Sequence, residues 1–179
     1  MISITFDDIN WQRSSAGTRQ AEALFMEGFN CCQSVFAAFA PRFNITREAA
    51  LKLSCSLGGG IGRMREVCGA VSGMALLVSL CNGNTNPDDS DAKEENYRTV
   101  RMLSDIFREK QGTIICRELL GIEKAETQAR PQDRTAAYYN SRPCPHLVRD
   151  AAVIVEHYLD YYPEYCEKTE INQKRPADL

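Results

Sequence analysis

The sequence predicts an all-α fold, a single-domain bundle of about six helices around a central apolar helix at about residues 68–81. Three observations point there. Apolar residues recur at three- and four-residue spacing along most of the 179 residues, which is the pattern of helical faces. Strand-like alternation is almost absent. One segment, CGAVSGMALLVSLCNG, is apolar nearly all round, as a helix enclosed by others must be.

The elements follow in order. SSAGTRQAEALFMEG sets Ala21, Leu24, Phe25 and Gly28 on one helical face. NCCQSVFAAFAPRF sets Cys32, Val35, Phe36 and Phe39 at helical spacing, with Asn30 as N-cap and Pro41 near the end. ITREAALKLSCSLGGG begins at a Thr46 cap and stops at its glycines. The central helix comes next. Between Asp91 and Gln111, the residues Tyr97, Val100, Leu103 and Phe107 form another stripe, and TIICRELLG supplies a short piece. Residues 122–142 are polar and loop-like, with room for a short helix around Ala136. PHLVRDAAVIVEHYLDYY is the clearest helix: Leu147, Val148, Ala151, Ile154, Val155, Tyr158, Leu159 and Tyr162 share one face. These elements make a helical domain at 15–162, between an N-terminal extension (1–14) and a solvated tail (163–179).

Composition narrows the function. A net charge of −3 gives no electrostatic reason to expect a nucleic-acid partner. The start, MISITFDDINWQRSS, has no apolar h-region, and no segment is long and apolar enough for membrane insertion, so the expected location is cytoplasmic. Eight cysteines are the anomaly. In a reducing compartment they are expected to remain thiols, to be catalytic, or to bind metal rather than to form lasting disulfides. The two histidines, His146 and His157, lie too far apart along one helix to share a metal ion.

GGGIGRMREVCGAVSG, at 58–73, raises the question of what the glycines serve. A dinucleotide fingerprint needs a strand before it and a third glycine where Arg63 stands, and a P-loop needs a Gly-Lys-Ser/Thr ending. Neither is present. Four cysteines answer better. Cys31, Cys68, Cys116 and Cys144 each stand at the N-terminal end of a helix, where the dipole and free N–H groups favour a thiolate. Pro145 suits the first helical position and so places Cys144 at the cap. Cys32 points about 100° away from Cys31. With Cys55, Cys81 and Cys166 it is expected to lie outside the site, as a core or surface thiol. The glycines should bring backbone N–H groups or the Arg63 side chain near the sulfurs. Gly69, Ala70 and Gly73 give a face without bulk, against which a helix or a compact cofactor can pack. Gly60, Arg63, Gly69 and Gly73 are therefore the expected cofactor-contacting residues.

NCCQSVFAAF, GGGIGR with VCGAVSG, CRELLG and RPCPHLVRDAA occur here in an order that resembles the C_GCAxxG_C_C family of redox-active proteins. The resemblance runs from about Ala21 to about Tyr158 and carries the family cysteines onto Cys31, Cys68, Cys116 and Cys144. The chain differs at Cys32, where the family has a small non-cysteine residue. A related domain in split-Soret cytochromes c implies an iron–sulfur cluster. Haem does not carry over, because the chain has no CxxCH.

Three functions stay open. Four thiolates can hold an iron–sulfur cluster, most simply 2Fe–2S, for electron transfer or redox sensing with an unidentified electron donor or acceptor. Zinc fits less well, since its structural sites use close cysteine pairs that this spacing lacks. A metal-free thiol–disulfide oxidoreductase is the second, with the same four cysteines as catalytic residues. The third is a helical bundle with packed cysteines. A homodimer is compatible with each.

Overall fold

The computed structural model describes residues 2–123 and 127–161. Among these are eight α-helices: α1 (Ala16–Met26), α2 (Cys31–Phe39), α3 (Arg47–Ser54), α4 (Gly69–Asn82), α5 (Ser90–Gln111), α6 (Cys116–Leu119), α7 (Ala136–Ser141) and α8 (Cys144–Tyr161). Three 3-10 turns join them, at Phe6–Asp8, Ala40–Phe43 and Cys55–Leu57. The only β pairing among the described residues is one antiparallel bridge between Val67 and Ile115. The all-α class therefore holds. The helices beyond the expected six are α6 and α7, both a turn or two long.

Local chemistry sets the boundaries. The Ser15, Asn30, Thr46, Asp89 and Thr135 side chains each accept a backbone N–H at the start of their helix. At Asn30 the bond is reciprocal: Gln33 N donates to Asn30 Oδ1 at 3.0 Å and Asn30 N to Gln33 Oε1 at 3.1 Å. Gly112 closes α5 in the left-handed conformation.

Helix α4 packs on α2, α5 and α8, and α2 also meets α1, α3 and α8. Gly73 explains the close fit of α4 on α2, since a Cβ there would lie 2.9 Å from Val35 Cβ. Burial of α8 goes beyond its expected stripe to include Asp150, Ala152, Val153, Glu156 and His157. The buried Glu156 is satisfied by Arg13 Nε at 2.9 Å, Arg42 Nη2 at 3.0 Å and the Ser15 hydroxyl. Ile2, Ile4 and Ile9 of the first fourteen residues are buried in the same core.

Two expectations change. Tyr97 is 61% exposed, and Asn96 and Thr99 turn inward on α5 instead. They are held there by polar pairing with α4, where Asn96 Nδ2 donates to Asn82 Oδ1 at 2.8 Å, which hydrophobic periodicity does not register. Cys81, expected to be a thiol, is disulfide-bonded, whereas Cys31, Cys32, Cys55, Cys68, Cys116 and Cys144 are free. The compartment argument says nothing of which sulfurs the fold brings within bonding reach. Tyr162 and Cys166 lie outside the described residues.

Candidate functional site: a cysteine-lined cavity

The turn after α3 begins the site. Backbone φ is positive at Gly59, Gly60, Ile61, Gly62 and Arg63, and again at Arg65. Five consecutive residues thus wind left-handed, a path open to glycine and costly to L-residues such as Ile61. Bonds from Gly62 N to Ser56 O (2.7 Å), Arg65 N to Gly59 O (3.1 Å) and Glu66 N to Gly60 O (3.1 Å) hold the coil. The chain then runs antiparallel to the segment before α6. Cys68 N donates to Ile114 O at 2.8 Å and Cys116 N to Glu66 O at 2.6 Å. This short pairing carries Cys68 and Cys116 to the same wall.

Cys31, Cys68, Cys116 and Cys144 all line one cavity of about 380 Å³. Cys31 is the first residue of α2 and Cys116 the first of α6, and Cys68 is the N-cap of α4. Cys144 differs slightly from expectation. Leu147 N donates to Pro143 O at 3.1 Å, so Pro143 takes the cap, Cys144 the first helical position and Pro145 the second. The reason is that any of the first helical turns' unpartnered N–H positions accepts proline, not the first alone.

The sulfurs sense one another. Cys31 is acted on by the other three, Cys68 by Cys116 and Cys144, and Cys116 by Cys144, which covers every pairing. A hydrogen bond between Cys31 and Cys144 splits that pair: it lowers Cys144 to about 7, with help from Arg142 and Arg134, and raises Cys31 well above a free thiol. Burial pushes Cys68 up to about 12, against the N–H groups of Ala70 and Val71, which favour its thiolate. Burial also raises Cys116, and a hydrogen bond from the buried Arg65 opposes it. As a bare polypeptide the site therefore resists holding four thiolates at once.

Of the expected cofactor-contacting residues, Arg63 and Gly69 line the cavity, and so do Gly58, Gly59 and Gly62. Gly60 and Gly73 lie outside the lining. Gly60 sits behind Cys116, where a Cβ would meet Cys116 Cβ at 2.8 Å and Glu66 N at 2.6 Å. Cys55, expected elsewhere, is an exposed residue on the cavity wall, and Asn30 Nδ2 donates to its carbonyl at 2.8 Å. Cys32 is buried outside the lining, its thiol pushed up to about 12 by burial and by Cys68. Among the described residues, no three His, Cys, Asp or Glu side chains form a group able to hold a single metal ion.

Sequence reasoning missed Arg65, Arg134, Arg142 and Tyr138, all of which line the cavity. A signal was present: Arg142 stands two residues before Cys144 and Arg65 three before Cys68. Arg134 lay in a stretch read only as a polar loop.

Residues 29–158 match the family described as Putative redox-active protein (C_GCAxxG_C_C). The chain belongs to this family. The match spans Cys31, Cys68, Cys116 and Cys144 and well over half of the chain. No curated protein and no solved structure matches the chain. Membership of a redox-active family and the all-α fold stand together, and among the described residues no helix is long and apolar enough to cross a membrane.

Proposed function

We propose that the four-cysteine cavity is the redox centre and that Cys31, Cys68, Cys116 and Cys144 hold an iron–sulfur cluster, most simply 2Fe–2S. The observation that carries this is the convergence of four sulfurs, from four separate helix starts, on a cavity that no Asp, Glu or His among the described residues lines. An all-sulfur donor set suits soft metals and iron–sulfur clusters. A single zinc ion needs its donors gathered around one point, and no such group of three is found among the described residues. A cluster brings its own bridging sulfides and so suits sulfurs arranged around a space. When bound, it supplies one-electron transfer. The chain's own residues supply the charge balance: Arg65 at Cys116, Arg142 at Cys144, and the Ala70 and Val71 N–H groups at Cys68.

A second reading rests on the pairing of Cys31 and Cys144 on the cavity wall, where the interaction of the two thiols lowers Cys144 and raises Cys31. In a metal-free protein this pair has the character of an attacking thiolate and a resolving thiol, as a thiol–disulfide oxidoreductase requires. Anaerobic purification with iron and acid-labile sulfide assays separates the two. The cluster reading expects both elements, lost when any one of the four cysteines becomes serine and kept in Cys32→Ser and Cys55→Ser. Absence of iron and sulfide after anaerobic reconstitution, with a Cys31–Cys144 disulfide forming on oxidation, overturns it in favour of the second reading.

A further inference from the structure

The cavity has more room and more positive charge than four sulfurs explain. A 2Fe–2S core is four atoms, whereas about 380 Å³ falls in the range of small-molecule sites. Beyond the sulfurs its walls include an apolar part, Leu119, Leu120, Leu147 and Tyr138, with Arg134 and Arg142 beside it, and a polar part at Asn30, Gln132, Arg63 and Arg65. Among the described residues, no carboxylate lines it.

Arg134 is the informative residue. Its Nη2 donates to Phe29 O at 3.2 Å, and its guanidinium lies 4.8 Å from the Phe25 ring centroid and 4.6 Å from that of Tyr138. These contacts fix the plane of the fork. Its Nη1 is buried and has no hydrogen-bond partner. Arg142 lies 4.7 Å from the Tyr138 ring on its own account and donates to Gln132 Oε1. Neither arginine meets a carboxylate among the described residues, although the protein pairs its arginines with acids elsewhere, as at Glu156 and Asp160. Buried donors are normally satisfied, so a preorganised guanidinium with a spare donor beside an apolar cavity indicates an absent acceptor.

We propose that this cavity binds a small organic carboxylate beside the sulfurs, its head on Arg134 and Arg142 and its short apolar body against Leu119, Leu120 and Leu147. The inference rests on this cavity being the functional site, as proposed above. A carboxylate matches the planar guanidinium fork with two parallel charge-assisted bonds. The leucines select a ligand with a few carbons over a bare inorganic anion.

The test uses the full chain, purified anaerobically and reduced, with butyrate as probe and inorganic phosphate and butylamine as controls. Calorimetric titration should give saturable butyrate binding, tighter than that of either control. Arg134→Gln should weaken it roughly tenfold to a hundredfold, the loss expected for a charge-assisted hydrogen bond. Arg134→Lys, which keeps the charge but not the fork, should recover only part. Should these variants lose helical content, magnetisation transfer from butyrate to the Leu120 and Leu147 methyl groups of the unaltered protein decides the matter. No saturable butyrate binding, phosphate binding as tightly as butyrate, or Arg134→Gln binding normally while folded overturns the proposal. Iron and sulfide assays on the same preparations keep the two readings apart. A cluster without butyrate binding sinks only this inference, and butyrate binding without a cluster sinks only the cluster.

Discussion

At the residue scale, Gly60 shows how one missing side chain shapes the site. Its φ of +68° and the backbone 2.6 Å from where a Cβ would lie leave no room for alanine. Gly62 has a similar φ of +53° but open space around it. Gly60→Ala should therefore cost about 2–4 kcal/mol, from left-handed strain plus overpacking, and Gly62→Ala about 1 kcal/mol from strain alone. Urea denaturation of the two variants checks the difference, and equal costs would show that the fit behind Cys116 is unimportant. Cys144 gives a second prediction. In the metal-free, reduced protein its alkylation should rise with pH around a midpoint near 7, the value that the Cys31 hydrogen bond sets, while Cys68 stays unreactive until far higher pH, its thiol near 12. Cys31→Ala removes the donor and should move the Cys144 midpoint upward. Mass spectrometry of alkylated peptides across pH measures both cysteines in one experiment.

At the element scale, α8 is held to the N-terminal region and to the turn after α2 by ions rather than by packing alone. Arg13 and Arg42 both reach Glu156 and Asp160. Glu156 is the buried member, while Arg13 and Arg42 are partly exposed and keep Asp160, so Glu156→Ala should cost on the order of 1–3 kcal/mol from the lost charge-assisted hydrogen bonds. Asp160 adds a pH dependence. Burial raises its pKa, but the hydrogen bonds from Arg42 and Arg13 outweigh this and hold the carboxyl below its usual 3.8. A carboxyl with a depressed folded value binds fewer protons than the unfolded chain, so its contribution is complete above 3.8 and lost as pH falls through the folded value. Acid unfolding followed by circular dichroism should reflect this, with Asp160→Asn unfolding less steeply below pH 3.8 than the unaltered chain. An identical acid limb in Asp160→Asn would show that the pair does not couple to folding.

At the scale of the whole molecule, the first residues belong to the domain physically. Ile2, Ile4 and Ile9 are each no more than 6% exposed and lie in the common core. Each fully buried isoleucine contributes about 1.5–3 kcal/mol, so removal of residues 1–12 should destabilise the protein by several kcal/mol. The truncation also deletes Trp11, whose ring packs at a tilt against Phe6 at 5.0 Å and lies beneath Lys110 Nζ at 3.6 Å. A melting temperature unchanged by truncation would mean that this segment only rests on the surface. The four-cysteine cavity lies between α2, α4, α6 and α8, so a loss of core packing should loosen the site as well.

The sequence by itself determined the helices and which cysteines stand at helix starts. Period-3.6 burial and the Asn30 and Thr46 caps are local, and a cysteine at a helix start can be recognised from a few flanking residues. It set Cys31 and Cys32 about 100° apart on one helix, and the folded structure decided that Cys31 is the one that lines the cavity. Tertiary structure alone decided what surrounds those sulfurs. The left-handed coil at 59–63 places Ile61 and Arg63 in a conformation their residue types disfavour, so bonds within the turn, such as Gly62 N to Ser56 O, and the remote pairing of Glu66 and Cys68 with residues 114–116 must enforce it. Arg142 stands two residues from Cys144 and so is partly legible in the chain, but nothing in the residues around Arg65 marks a guanidinium that will face Cys116, fifty-one positions on. The same holds for Cys55 on the cavity wall and for the disulfide at Cys81. Helix formation is set by short-range backbone energetics, whereas the charge and shape of the cavity depend on contacts between remote segments, which exist only once the chain has folded.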